Sequence, residues 1–140
     1  MVGLGPGARS YTRTLHYSME YAVGRAGVLN VIADFNRRTR SQFSWANHGY
    51  ELDEEEQKRR FLLKSLLRND GLKLGEYWKS FSSEAFADFP QLLELVDGNF
   101  AWETDGSLRL TPAGFELSDV IGPWLWSATV RHRMSQFVLK

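Results

Sequence analysis

The chain has 140 residues, the length of one ordinary domain, and its 43% hydrophobic and 14% aromatic residues supply enough apolar surface for one packed core. It has no cysteine, which excludes disulfides, thiolate zinc sites, thiol nucleophiles and iron–sulfur clusters held by its own side chains. Because 17 basic residues balance 17 acidic ones, it lacks the positive charge typical of nucleic-acid-binding domains. Neither a long apolar run nor a signal-peptide pattern is present, and we expect a soluble, cytoplasmic protein.

The first predicted elements are a glycine-rich leader and one helix. The leader, residues 1–20, begins with alternating glycines around a proline, which predicts an irregular and flexible start. A helix is predicted to begin near Ala26, since apolar residues then recur three or four positions apart. These residues are Val28, Val31, Ile32 and Phe35. Residues 43–50 contain aromatics without periodicity, so we expect residues 21–52 to form a helix and a connecting loop.

The most clearly marked element is a helix that begins near Glu54 and ends before Gly71. Asp53 and Glu56 have the spacing of a reciprocal capping box, and acidic residues in the first turn suit the helix dipole. Asp70-Gly71 predicts the end of the helix, with the glycine in the left-handed conformation. The predicted apolar face comprises Phe61, Leu62, Leu63, Leu66 and Leu67.

Two more helices are predicted after a short extended segment at residues 72–74. The first covers residues 75–81. The second is predicted over residues 83–97, with serines at its start and a glycine at its end. Its predicted core-facing residues are Phe86, Phe89, Leu92, Leu93 and Val96. Because Pro90 removes a backbone N–H, we expect this helix to be kinked or to begin near Phe89.

A β-hairpin and a final helix complete the pattern. Alternating apolar residues flank Asp105-Gly106, a pair typical of two-residue hairpin turns. Thr111-Pro112 predicts the next helix N-terminus, and Gly122-Pro123 is expected to break or kink that helix. The fold class is therefore mainly α with a small β-hairpin, an α+β fold. The order helix, short strand, helix, helix, hairpin, helix predicts a winged-helix-like domain over residues 53–121, followed by an apolar helical extension over residues 122–140.

Few side chains point to catalysis or to a metal. His16, His48 and His132 are far apart in the sequence and do not form a metal-ligand pattern with carboxylates. The predicted helix over residues 83–97 carries acidic side chains and no lysine or arginine, so it would repel the phosphates of duplex DNA. The leader matches neither the dinucleotide-binding nor the P-loop motif. No catalytic residue and no metal ligand is predicted.

Five segments occur in a characteristic order. They are Gly3-Leu4-Gly5-Pro6-Gly7-Ala8-Arg9-Ser10-Tyr11, Gly49-Tyr50-Glu51-Leu52, Leu66-Leu67-Arg68, Asp105-Gly106-Ser107-Leu108-Arg109-Leu110-Thr111-Pro112-Ala113-Gly114 and Leu117-Ser118-Asp119. Together they resemble the C-terminal third of the oxygen-independent coproporphyrinogen III oxidases and the related haem-chaperone-like radical S-adenosylmethionine proteins. The resemblance covers about residues 2–121, and its most specific part is the hairpin-to-helix segment that begins at Leu108.

The resemblance implies that this chain is an accessory part of a larger enzyme. In that family an upstream partial barrel holds a four-iron–four-sulfur cluster through Cys-x-x-x-Cys-x-x-Cys and cleaves S-adenosylmethionine into a radical. Residues 1–20 would end the barrel, and the helical domain that follows would cover its mouth without being catalytic alone. The implied cofactor-binding residues are Gly5, Gly7, Ala8 and Ser10, while Arg9 stands where many relatives have histidine.

The implied partners are the parent's barrel and a porphyrin substrate, since the parent would belong to haem or porphyrin biosynthesis. We expect no membrane or nucleic-acid partner, and the segment at residues 122–140 is a candidate surface for a second copy of the chain. The alternative is a standalone winged-helix module that binds a protein or nucleic acid.

Overall fold

The computed structural model describes residues 1–136, about half of which are helical, and the fold is α+β with two small antiparallel sheets. The strands are β1 Arg9–Tyr11, β2 Leu15–Ser18, β3 His48–Glu51, β4 Leu72–Lys73, β5 Ala101–Thr104 and β6 Ser107–Leu110. The α-helices are α1 Arg25–Arg37, α2 Glu54–Leu66, α3 Leu74–Phe81, α4 Ala85–Asp88, α5 Leu92–Asp97, α6 Pro112–Glu116, α7 Ser118–Trp124 and α8 Ala128–Ser135. None of the helices in this range has the length and apolarity needed to cross a membrane.

The chain divides into two compact units. The N-terminal unit comprises Met1–Glu54 together with the chain from His132, and the central unit comprises Glu55–Arg131. In the N-terminal unit the sheet has the order β1-β2-β3, with Ser10 opposite Tyr17 and Tyr17 opposite Gly49. Helix α1 has the predicted position but contains no buried residue.

One prediction for the N-terminal unit is wrong in part. The glycine-rich start is irregular through residue 8, as predicted, and β1 and β2 then form an antiparallel pair. The loop predicted over residues 43–50 fails, since a 3₁₀ helix covers Arg40–Ser44 and β3 begins at His48. Strand β3 pairs with β2, about 30 positions earlier in the chain. Its short, glycine-containing sequence has no apolar alternation that would have predicted it.

The central unit contains the hydrophobic core. Its buried cluster extends from Leu62 on α2 to Leu125 after α7, and so continues beyond residue 121. The sheet has the order β4-β6-β5, with Leu72 opposite Leu108 in the core. The largest fully buried side chains are Tyr77, Phe89, Leu62, Leu66, Leu72, Leu92, Leu108 and Leu125.

Local signals in the central unit correctly predicted α2, the hairpin and the start of α6. Helix α2 begins at Glu54 as predicted but ends at Leu66, before the predicted stop. Gly71, with a φ of +70°, lies in the turn that follows, where its N–H donates to the Arg68 carbonyl at 2.9 Å. In the hairpin turn Asp105 and Gly106 have φ values of +50° and +68°, the positive values that a type I′ turn requires. The Thr111 hydroxyl accepts a hydrogen bond of 3.0 Å from the Gly114 N–H, which caps α6.

The segment predicted as one helix over residues 83–97, kinked by Pro90 or beginning near Phe89, forms two helices, α4 and α5, with the break at the proline. Phe89 leaves helical geometry with φ −132° and ψ 74°, as expected for the residue before a proline. The break changes which side chains of α5 face the core. Leu93, predicted to be buried, is 53% exposed, and Leu95 is buried in its place.

The helix predicted to begin at Thr111-Pro112 is interrupted earlier than expected, because the chain leaves helical geometry at Leu117 between α6 and α7. The break predicted at Gly122-Pro123 falls one residue later, since α7 ends at Trp124. The Leu125 N–H donates to the Ile121 carbonyl at 3.1 Å in this last turn. In the segment predicted as an apolar helical extension over residues 122–140, α8 covers Ala128–Ser135 and contains no buried residue. Residues 137–140 lie outside the described part.

Candidate functional site

The glycine-rich leader forms a tight turn in the N-terminal unit. Gly5 and Gly7 have φ values of +101° and +72°, and the Ala8 N–H donates to the Gly5 carbonyl at 3.2 Å. Side chains other than glycine rarely adopt such φ values, so the glycines allow the turn to form without backbone strain. The turn therefore exposes backbone with little side-chain cover.

Ser10 joins this turn to the sheet. It is only 5% exposed, and its hydroxyl accepts a hydrogen bond of 3.0 Å from the Gly3 N–H. A Cβ atom added to Gly3 would lie 2.5 Å from the Arg9 carbonyl oxygen, so the backbone of the leader packs directly on β1. The leader is thus anchored beside the first strand.

A cavity of about 500 Å³ opens beside this turn, within the N-terminal unit. Of the four predicted cofactor-binding residues, Gly5, Ala8 and Ser10 line the cavity, whereas Gly7 supports the turn without lining it. The larger lining side chains are Tyr17, Met19, Phe35, Phe43 and Trp45. The lining side chains are apolar, aromatic or hydroxyl-bearing, and none is charged. Such a surface suits an uncharged, flat part of a ligand.

Arginines lie near the cavity without lining it. Arg38 donates from Nη1 to Asn47 Oδ1 at 3.1 Å and lies 3.3 Å from the sulfur of Met19. Arg9 places its guanidinium carbon 5.9 Å from the centre of the Tyr21 ring. These contacts fix the arginines against neighbouring side chains.

The histidines do not come together. His16 stacks on Tyr11 with 4.4 Å between ring centres, His48 is the first residue of β3, and His132, on α8, contacts Gln136 just after that helix. Within residues 1–136, no group of three or more histidine, aspartate or glutamate side chains is arranged to hold a metal ion.

A second polar cluster lies in the central unit around Asp88. Its carboxylate accepts hydrogen bonds from the Tyr77 hydroxyl at 2.7 Å, the Ser83 hydroxyl at 2.5 Å and the Lys58 ammonium at 3.2 Å. Burial disfavours the charged carboxylate, but hydrogen bonds from Ser83, Tyr77 and Lys58, with the Lys58 charge, outweigh it and lower the pKa of Asp88. The pKa of Tyr77 is raised, mainly by burial and then by the hydrogen bond to Asp88 and the negative charge of the Asp88 carboxylate. The cluster joins α2, α3 and α4 and has a structural role.

Sequence reasoning missed the aromatic wall of the cavity. Phe43 and Trp45 belong to the segment predicted as a loop, and Phe35 was assigned only to a helix face. The available signal was the unusual density of aromatics in an aperiodic segment after a helix.

Comparison with known proteins adds no relative: no protein-family model matches the sequence, and neither a curated protein nor a solved structure matches it.

Proposed function

We propose that this chain is the C-terminal accessory domain of a cytoplasmic radical S-adenosylmethionine protein like the oxygen-independent coproporphyrinogen III oxidases. In this proposal the glycine-rich leader contributes to the parent's cofactor and substrate pocket. The observation that carries the proposal is the convergence of Gly5, Ala8 and Ser10 on one cavity. The family resemblance implies that these residues belong to the parent's cofactor and substrate pocket, so their position on a cavity supports the assignment.

The exposed side of α1 supports the same proposal. Val28 is 39% exposed, Leu29 57% and Ile32 40%, and no residue of this 13-residue helix is buried. Exposed apolar surface of this kind is typical of a face that another polypeptide covers. In the proposed parent, that polypeptide is the barrel.

The chain's residues set limits on which cofactors it could hold. Without cysteine it offers no thiolate for a four-iron–four-sulfur cluster, so the cluster would belong to the barrel. The cavity offers neutral side chains and the backbone of the leader, which suit the uncharged part of a bound cofactor or porphyrin. Charged parts of such ligands would need partners outside this lining.

The strand order of the central unit supports a winged-helix assignment for the accessory domain. Helix α2, strand β4 and helix α3 precede α4, α5 and the hairpin, and β6 lies between β4 and β5. This order and pairing are similar to those of a winged helix, in which the hairpin pairs with the short first strand, and they support the assignment.

The experiment begins with the complete reading frame that contains this chain. We expect it to encode Cys-x-x-x-Cys-x-x-Cys upstream, and its anaerobically reconstituted product to cleave S-adenosylmethionine. Ser10→Ala removes the acceptor of the Gly3 N–H and should lower the cleavage rate about fivefold, the equivalent of about 1 kcal/mol. Ser41→Ala, at an exposed serine that does not line the cavity, is the matched control.

Two results would reject this function. One is a reading frame without the upstream cysteine motif. The other is stoichiometric cluster incorporation when the 140-residue chain alone is incubated anaerobically with iron and sulfide, since it has no thiolate to bind the cluster.

A standalone interaction module is the second candidate, favoured by the self-contained core of the central unit. Its partner would be a protein rather than duplex DNA, because Glu84, Glu94 and Asp97 place negative charge on and beside α4 and α5. Sequence-selective DNA binding that persists at high salt in a gel-shift assay would contradict this choice of partner.

A further inference from the structure

A surface groove of about 570 Å³ lies on the hairpin of the central unit. Its lining residues are Asn69, Trp102, Glu103, Thr104, Arg109 and Leu110. Trp102 and Arg109 are directly opposite each other in the β5–β6 pair. Because Leu108 and Leu110 are buried, strand alternation places Arg109 on the solvent face of the sheet, with Trp102 beside it.

Arg109 has no partner for its charge within residues 1–136. No hydrogen bond or ion pair joins its guanidinium there, and its Nε atom is fully covered without an acceptor. Gly71 packs against its stem, since a Cβ atom at Gly71 would lie 2.6 Å from the Arg109 Cγ atom. The guanidinium is therefore held in place before any ligand arrives, which reduces the entropy lost on binding.

Trp102 supplies a flat apolar surface next to this cation. Its side chain is 52% exposed, although a tryptophan is among the residues that gain most from burial. Asn69 and Thr104 add hydrogen-bonding groups at the rim of the groove. Glu103 is paired with the buried Leu108, so alternation assigns its side chain to the other face of the hairpin.

We propose that this groove binds an aromatic carboxylate, with the carboxylate group on the Arg109 guanidinium and the aromatic ring against Trp102. The fork of N–H donors on arginine matches a carboxylate in two parallel hydrogen bonds. The lining given above contains a single cation, Arg109, which matches one carboxylate better than a polyanion such as nucleic acid. This site belongs to a different unit from the leader cavity and does not depend on the proposed function.

The test uses indole-3-acetate as the probe and nuclear magnetic resonance of the full chain as the readout. We expect saturable shifts of the Trp102 indole N–H and the Arg109 Nε–H signals. Tryptamine, which carries an ammonium in place of the carboxylate, should cause no saturable shift. Arg109→Met should abolish binding, and Arg109→Lys, which keeps the charge without the fork, should weaken it at least tenfold.

The matched control is Lys73→Met. Lys73 lies on β4 of the same sheet and carries the same charge, but it does not line the groove. We expect this variant to bind the probe with unchanged affinity. Equal weakening by Lys73→Met and Arg109→Met, equal binding of tryptamine, or the absence of saturable shifts in the wild-type chain would each overturn the proposal. Arg109→Lys keeps the test valid if Arg109→Met does not fold.

Discussion

The two units of this protein obtain their order from different interactions. In the central unit a continuous cluster from Leu62 to Leu125 is buried, and the helices and the β4-β6-β5 sheet are organised around it. Within Met1–Glu54, only Ser10 and Leu52 are buried, although that segment contains three strands and a helix of 13 residues. Regular secondary structure is thus present in both units, but a hydrophobic core is found in the central unit.

This contrast also separates the two proposed sites. The leader cavity lies in the unit with little buried surface, where the backbone is open to a ligand or another polypeptide. The hairpin groove lies in the unit with the core, where Gly71 and the buried strands hold Arg109 in place. Ligand binding at the cavity should therefore be accompanied by ordering, whereas binding at the groove should be nearly rigid.

The largest expected difference comes from the same substitution in the two units. Leu62→Ala removes a side chain with 0% exposure and should lower the free energy of unfolding by about 4 kcal/mol. Leu29→Ala, on α1 with 57% exposure, should change it by less than about 0.5 kcal/mol. Urea denaturation followed by circular dichroism measures both, and similar losses would mean that α1 belongs to a core.

A pair of glycine substitutions makes the same comparison for the backbone. Gly71 and Gly7 have φ values of +70° and +72°, so alanine is strained at either position, by about 1 kcal/mol. At Gly71 the new Cβ would also lie 2.5 Å from the Leu108 carbonyl oxygen, while at Gly7 it would meet no atom within 4 Å. We expect a total loss of about 3 kcal/mol for Gly71→Ala, because overpacking adds to the strain. Thermal unfolding that is equally affected by both variants would contradict this interpretation.

The polar cluster gives the next largest effect. Asp88→Ala leaves the donors Tyr77, Ser83 and Lys58 without their common acceptor, and should destabilise the protein by about 2 kcal/mol at neutral pH. The control is Asp34→Ala, which removes an exposed ion pair with Arg37 on α1 and should leave stability unchanged. A neutral result for Asp88→Ala in urea denaturation would show that the cluster adds nothing to stability.

The pH dependence of stability should show a smaller effect from the same carboxylate. The folded-state pKa of Asp88 is lowered below the unfolded value of about 3.9, so its stabilising contribution is complete above that pH. The contribution is lost as the pH falls through the folded-state pKa. The stability difference between the wild-type chain and Asp88→Asn should therefore shrink below about pH 4. A difference that stays constant from pH 7 to pH 2.5 would show that titration of Asp88 does not contribute.

Much of the fold could be predicted because its signals are local. Helix α2, the turn at Asp105-Gly106 and the cap at Thr111 each depend on residues within a few positions of one another. Strand β3 depends on pairing with β2 across a long stretch of chain, and no local pattern announces it. Pro90 was recognised as an obstacle, but whether it kinks or divides a helix depends on packing that the sequence does not display.

In the candidate sites, too, residues that are close in the sequence could be predicted, whereas residues that only the fold brings together could not. The family resemblance selected Gly5, Ala8 and Ser10, which are near one another in sequence, and the structure places them on one cavity. The opposite wall comes from Phe35 and Trp45, which separate elements bring together. The hairpin groove was missed because Trp102 and Arg109 become neighbours only through strand register.

Hydrogen–deuterium exchange of the 140-residue chain most directly tests the central claim that the two units differ in how they are stabilised. Backbone amides of Leu66 on α2 and Leu108 on β6 should exchange only through global unfolding, since both residues are fully buried. Amides within α1 should exchange at least a hundredfold faster, because no buried residue ties that helix to a core. Equal protection of α1 and α2, with a single cooperative loss of both in denaturant, would contradict the account.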